Sequence, residues 1–118
     1  METKQDILPQ YLKSKHSSLH QLCHKNKVKY LWVFGSVLTD KFKEDSDIDF
    51  LYELDKSNFA PGEYLDNLDG LIAGLIEIFP GRKIDLVHYP SLKNPYFIEE
   101  VEETKILLYD QRLKEISV

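Results

Sequence analysis

Asp47 and Asp49 stand two apart at the start of an apolar run, and ten residues separate them from the pair Gly35-Ser36. Written out, the stretch is VFGSVLTDKFKEDSDIDFLYEL. Side chains two apart on a strand share a face, so both carboxylates project from one side. Carboxylate oxygens are the ligands that a hard cation such as Mg2+ prefers. At the other end, Gly35 lets a ligand approach the backbone closely, and Ser36 offers a hydroxyl and an amide at the start of a predicted helix, which suits an anion. One end therefore suits a phosphate chain and the other suits divalent metal. Two such ions, about 3.5–4 Å apart, stabilise both the attacking and the leaving oxygen of a displacement at phosphorus. Asp85, on a later apolar run, is the natural third carboxylate. Its expected role is metal ligand or the base that takes a proton from an attacking hydroxyl.

Each part alone is ordinary. An isolated Asp-x-Asp at a strand start is usually solvated or capping, and Gly-Ser after a strand is a common turn. Asp85 alone reads as a surface carboxylate. The joint pattern is rarer: at residue frequencies of roughly 5–7%, four fixed positions coincide by chance in about one chain of this length in a thousand.

The elements that must position these residues follow from periodicity. Residues 6–26 predict a helix, with Leu8, Tyr11, Leu12, Leu19, Leu22 and Cys23 at helical spacing and Pro9 in the first turn. Lys29–Phe34 is short and rich in β-formers, a buried strand. Ser36 is expected to cap a short helix reaching Thr39 to Phe42. Asp47–Leu54 predicts a second strand, with Asp47, Asp49 and Leu51 on one face and Ile48, Phe50 and Tyr52 on the other. Glu63–Phe79 predicts a helix whose stripe is Leu65, Leu68, Leu71, Ile72, Leu75, Ile78 and Phe79. Gly70 and Gly74 weaken it but suit close packing against the sheet. Pro80-Gly81 ends it, and Arg82–His88 predicts a third strand. Asn94-Pro95 marks the cap of a helix over 95–104. Ile106–Tyr109 reads either as a last strand or as the start of a helical tail. The alternation of helices and strands implies an α/β domain with a small mixed β-sheet flanked by helices.

The chain has 118 residues, 42% of them hydrophobic, which supports one domain spanning 1–118 rather than two. A net charge of -5 argues against direct, nonspecific nucleic-acid binding. A single cysteine, Cys23, excludes an internal disulfide and suits a reducing compartment. The first residues, METKQDILPQ, carry no apolar signal-like core, so the expectation is a cytoplasmic protein.

Other chemistry-bearing residues have plainer readings. His16, His20 and His24 fall on one helix side, read as a solvated flank rather than a metal site. His88 ends the third strand, either near the site or capping it. Cys23, Tyr30 and Trp32 are read as core. Arg82 and Lys83 flank Asp85, as a solvated strand end rather than a phosphate guide. The run Glu99-Glu100-Val101-Glu102-Glu103 reads as a solvated helix face, with contact to a basic partner the lesser reading.

Gly35-Ser36, ten residues, then Asp47-x-Asp49 resembles the GSx10DxD signature of the DNA polymerase β-like nucleotidyltransferase superfamily, and most of all its minimal nucleotidyltransferases (MNT). The segments SDIDFL and NPYF…EEV…ILLYD carry the likeness over most of the chain. The resemblance implies the polymerase-β-like nucleotidyltransferase fold. It implies Mg2+, as two ions, at Asp47, Asp49 and Asp85, with ATP held by Gly35 and Ser36. Many MNT proteins are antitoxins paired with a helical HEPN ribonuclease toxin, and some transfer AMP onto a tyrosine of that toxin. The implied function is therefore transfer of AMP to a partner protein. The alternatives are an antitoxin that acts by contact alone, and a transferase modifying a small molecule such as an antibiotic, which at this length needs an oligomer or second subunit to complete the acceptor site. One departure stands out: relatives often carry Arg three residues after the Ser, whereas here Val37-Leu38-Thr39-Asp40 follows. Lys41 or Lys43 is then left to supply the missing positive charge, as a point charge rather than a fork.

Overall fold

A computed structural model of the chain describes residues 8–113 apart from Asp40 and Glu44. The expected start of the first helix at residues 6 and 7 lies outside the described residues, as does Asp40 beside the Gly-Ser turn.

Eight regular elements follow one another: α1 (Gln10–Lys13), α2 (His16–Lys25), β1 (Val28–Phe34), β2 (Ile48–Leu54), α3 (Glu63–Ile78), β3 (Ile84–His88), α4 (Pro95–Thr104) and β4 (Ile106–Asp110). The strands form one mixed sheet in the order β3-β2-β1-β4. β1 runs antiparallel to β2 and β4, and β2 runs parallel to β3. The parallel pair needs a crossover, which α3 supplies.

Both faces of the sheet are covered. Ile48, Phe50, Tyr52 and Leu54 of β2 join Leu31 and Val33 of β1 in the larger core, beneath Leu19 and Cys23 of α2 and Leu71 and Leu75 of α3. On the other face, Phe34 and Leu51 pack with Val101 of α4, and Trp32, Val87 and Phe97 lie against them. The period-2 alternation expected for β2 is present, with Leu51 on the α4 side. Asp47 itself stands one residue before the strand.

Several expectations need correction. The single first helix is two: Ser14 closes α1, its hydroxyl donating to the Tyr11 carbonyl at 2.9 Å, and the backbone restarts at His16. A serine that bonds its own helix backbone offers an alternative to continuing the helix. Gly70 and Gly74 face α2, not the sheet: a Cβ on Gly70 would overlap Oδ1 of buried Asn26, and one on Gly74 would overlap Leu22. That docking rotates α3, so Leu65 and Ile72, expected in the buried stripe, are 67% and 37% exposed. Tyr30 and Trp32 are half-buried on the α4 face, stacked 5.2 Å apart, rather than core residues. His16 and His20 are half-buried too, because α2 lies against β4 and the His20 ring sits 5.3 Å from Tyr109. Cys23 is fully buried, as expected, and burial pushes its thiol well above the usual range. Ile106–Asp110 is the strand, not the helical tail.

Candidate active site

Three chain segments meet at one end of the sheet. β1 ends there at Phe34, and β2 and β3 begin there. Phe34 pairs with Asp49 across the antiparallel ladder, and Asp49 pairs with Asp85 across the parallel one. Gly35 follows Phe34 with φ +82, a left-handed conformation that favours glycine. It lies so close to Asp49 that a Cβ would overlap Oδ2. The sequence-predicted residues Gly35, Asp49 and Asp85 are thus brought to the same end of three neighbouring strands.

The carboxylates are not equivalent. Asp49 has its carboxyl pushed up to about 6, first by burial, then by hydrogen bonding to and repulsion from Asp85, and by repulsion from Asp47; Lys83 opposes the rise. Asp47 has a cation of its own, with Lys83 Nζ 3.8 Å from Oδ2. Among the described residues, no three His, Cys, Asp or Glu side chains are drawn together tightly enough to form a ready-made metal cage. The expected three-carboxylate set is therefore a close pair, Asp49 and Asp85, with an ion-paired third. An all-oxygen donor set whose members repel one another fits a divalent cation, which would relieve that repulsion.

The expected helix after Gly35 is a single 3-10 turn, Gly35–Leu38, whose N-cap position is Phe34 rather than Ser36. The Ser36 carbonyl accepts from the amide and the hydroxyl of Thr39, both at 2.9 Å, and these bonds close the turn before a longer helix can form. One such turn has little dipole, so anion binding here rests on individual backbone amides rather than on a helix terminus.

Gly35, Ser36 and Asp49 open onto a cavity of about 620 Å3 whose far wall is α4. That wall carries Phe97, Glu100, Glu103 and Thr104. The acidic run, expected to be a solvated face, thus contributes two carboxylates to the cavity. Glu102 points elsewhere and accepts from the Tyr89 hydroxyl and, at 3.0 Å, from Lys105. Among the described residues that line the cavity, Lys41 is the one cation, against Asp49, Glu100 and Glu103. Sequence reasoning missed the α4 wall; the signal available was Phe97 and Val101, one helical turn apart, which fix the face α4 turns to the sheet. His88 stands at the far end of β3, paired in register with Tyr52 and bonded to Ser91 at 2.6 Å, away from the carboxylates. Of the expected solvated strand end, Lys83 is exposed, with Asp47 3.8 Å away, whereas Arg82 is half-buried and donates to the carbonyls of Lys43 and Ser46.

Residues 17–113 match the family model described as polymerase beta, nucleotidyltransferase. The chain belongs to that family. It is 37% identical to "Putative protein adenylyltransferase MJ1379" of Methanocaldococcus jannaschii over 93 residues, 78% of this chain and 86% of that protein. A second protein of the same organism, MJ0128, carries the same description and is 35% identical over 94 residues, covering 78% of this chain and 86% of its own length. Among solved structures, a toxin–antitoxin with AMP-PNP matches with a TM-score of 0.54 at 18% identity, covering 82% of this chain and 74% of that one. A mutant of the toxin–antitoxin MntA-HpeT matches with the same TM-score at 16% identity, over the same shares of the two chains. At such identity the two structures speak for the nucleotidyltransferase fold. No helix among the described residues is long and apolar enough to cross a membrane.

Proposed function

We propose that this nucleotidyltransferase is an Mg2+-dependent protein adenylyltransferase that moves AMP from ATP onto a partner protein, acting as the antitoxin of a HEPN-type toxin. The observation that carries the reading is the side-by-side placement of Asp49 and Asp85, with Gly35 against Asp49. Asp49 and Asp85 would hold the metal, joined by Asp47 on release from Lys83. When bound, Mg2+ neutralises negative charge on the reacting phosphate. Gly35, with no side chain, lets the Asp49 carboxyl sit against the backbone, and the amides of Gly35 and Ser36 would donate to the phosphates. The cavity wall supports the same reading: three carboxylates and one lysine repel a bare triphosphate, so binding needs the cation. Phe97 and Phe34, in edge contact 5.9 Å apart, give the nucleoside an apolar seat. The alternative role for Asp85 is the base that takes the proton from the acceptor hydroxyl, with Asp47 and Asp49 then holding the metal.

The test is incubation with α-labelled ATP, Mg2+ and the protein encoded by the adjacent gene. Label on that protein, lost in an Asp47→Ala/Asp49→Ala variant, is the expected result. A complex that forms without label transfer would sink the catalytic reading. The competing reading, neutralisation by contact alone, draws on the absent arginine after Ser36 and the Asp47–Lys83 pair. It would be favoured if the same double variant protected cells as well as the wild type.

A further inference from the structure

Arg82 lies in the turn between α3 and β3, and its side chain leaves that turn to reach the chain entering β2. Its Nη1 donates to two carbonyls, those of Lys43 and Ser46, the latter at 3.2 Å. The guanidinium is stacked 4.2 Å from the Phe42 ring centroid and 5.5 Å from that of Tyr11. Tyr11 in turn sits 5.9 Å from Phe42 and 5.7 Å from buried Phe79, so the platform is anchored in the core. The turn it grips is closed by reciprocal bonds: the Ser46 amide donates to the Lys43 carbonyl at 3.1 Å, and the Lys43 amide donates to Ser46 Oγ at 2.9 Å. The next residue is Asp47. One further on, the Ile48 amide donates to the Lys83 carbonyl at 3.0 Å, beside Arg82 in sequence.

We infer that Arg82 is a positioning residue for the carboxylates, a clamp that fixes the direction from which the chain delivers Asp47 and Asp49 to the sheet edge. A planar guanidinium stacked on an aromatic ring, with one nitrogen donating to two carbonyls, holds a turn in one orientation. Lysine has the charge and the donors but not the plane that stacks on Phe42. Supports of this kind fix ligand orientation, and their loss costs about 10–100-fold in metal affinity. The inference rests on the nucleotidyl-transfer reading for the consequence of the clamp, but not for the clamp itself.

The experiment separates the two. Full-length wild type, Arg82→Lys and Phe42→Leu are compared by thermal unfolding, by hydrogen exchange of the peptide covering residues 41–48, and by Mn2+ titration with AMP-PNP followed by electron paramagnetic resonance. Arg82→Lys is expected to keep its fold, exchange faster at 46–48, and bind Mn2+ about tenfold more weakly. Phe42→Leu removes the stacking surface and is expected to move both readouts the same way by less, which keeps the test alive if Arg82→Lys does not fold. Unchanged exchange and unchanged Mn2+ affinity in the folded variants overturn the clamp. Wild type that takes up no Mn2+ overturns the nucleotidyl-transfer reading and, with it, the catalytic consequence assigned to Arg82. Faster exchange with unchanged Mn2+ affinity overturns the positioning role and leaves a purely structural one.

Discussion

Asp49 stands directly opposite Asp85 in the parallel β2–β3 ladder, and the carboxyl of Asp49 titrates near 6 as a result of burial and of that neighbour. A carboxyl raised above its unfolded value behaves opposite to the usual acid. The folded protein binds the extra proton between the two values, so the stabilising contribution is complete below the ordinary value of 3.8 and is lost as pH rises through about 6. Asp49→Asn, which cannot ionise, is therefore expected to melt above wild type at pH 7 to 8, with the gap narrowing as pH falls from about 6 and closed below about 4. Thermal unfolding of both proteins across that range, in chelator, checks the sign.

Added Mg2+ with ATP should narrow that gap. A ligand bound to the folded state alone stabilises it by about 1.4 kcal/mol at ten times its dissociation constant. Wild type is expected to gain melting temperature on adding both, and Asp49→Asn to gain little. Equal shifts in the two proteins would remove Asp49 from the metal site.

Gly35→Ala carries two penalties. The left-handed backbone at φ +82 costs a side-chain-bearing residue about 1–2 kcal/mol, and the new methyl group displaces the Asp49 carboxyl. The first lowers the melting temperature; the second should cut label transfer by about 100-fold, the scale of a 1 Å misplacement at a reacting centre. Asp49→Asn combined with Gly35→Ala should lose little more activity than either change alone, since both act on one group.

Gly74→Ala tests the α2–α3 contact. Alanine is favoured over glycine in a helix by about 1 kcal/mol, but overpacking costs about 1–3 kcal/mol. The new Cβ would overlap Leu22 Cδ1 and sit 3.0 Å from its Cγ, so the whole side chain must shift and the variant should be the less stable. In a Leu22→Ala background the obstacle is gone and the same substitution should stabilise. Denaturant unfolding of the four proteins reads the change of sign as a coupling energy.

The strands that carry the site were legible because each is short, apolar and sandwiched. Ile48, Phe50 and Tyr52 alternate with Asp49 and Leu51, and only a covered sheet gives both sets something to bury against. The α4 cap was equally plain: Asn94 Oδ1 accepts from the amides of Tyr96 at 2.9 Å and Phe97 at 3.2 Å, with Pro95 at the first helical position. What failed were readings that depended on partners far away in sequence. Leu65 and Ile72 match the apolar period of α3, yet the rotation of that helix is set by Gly70 and Gly74 meeting Asn26 and Leu22. Ser36 resembles a helix cap, but Thr39 closes the turn after one round. Arg82 looks like a charge at a strand end, and nothing local reveals that its fork spans to carbonyls 36 and 39 residues earlier.

β4 gives the sheet a temporal property as well. Gly35, Asp49 and Asp85 are all synthesised before α4 and β4, yet the edge of β1 opposite β2 is covered by Ile106–Asp110. During translation the nascent chain holds Gly35, Asp49 and Asp85 while β1 still exposes half of its backbone groups to solvent or to other chains. The β1–β4 pairing spans the greatest stretch of sequence of any in the sheet, which makes it the slowest loop to close. A competent site is thus gated by the synthesis of β4, well after its own carboxylates have been made.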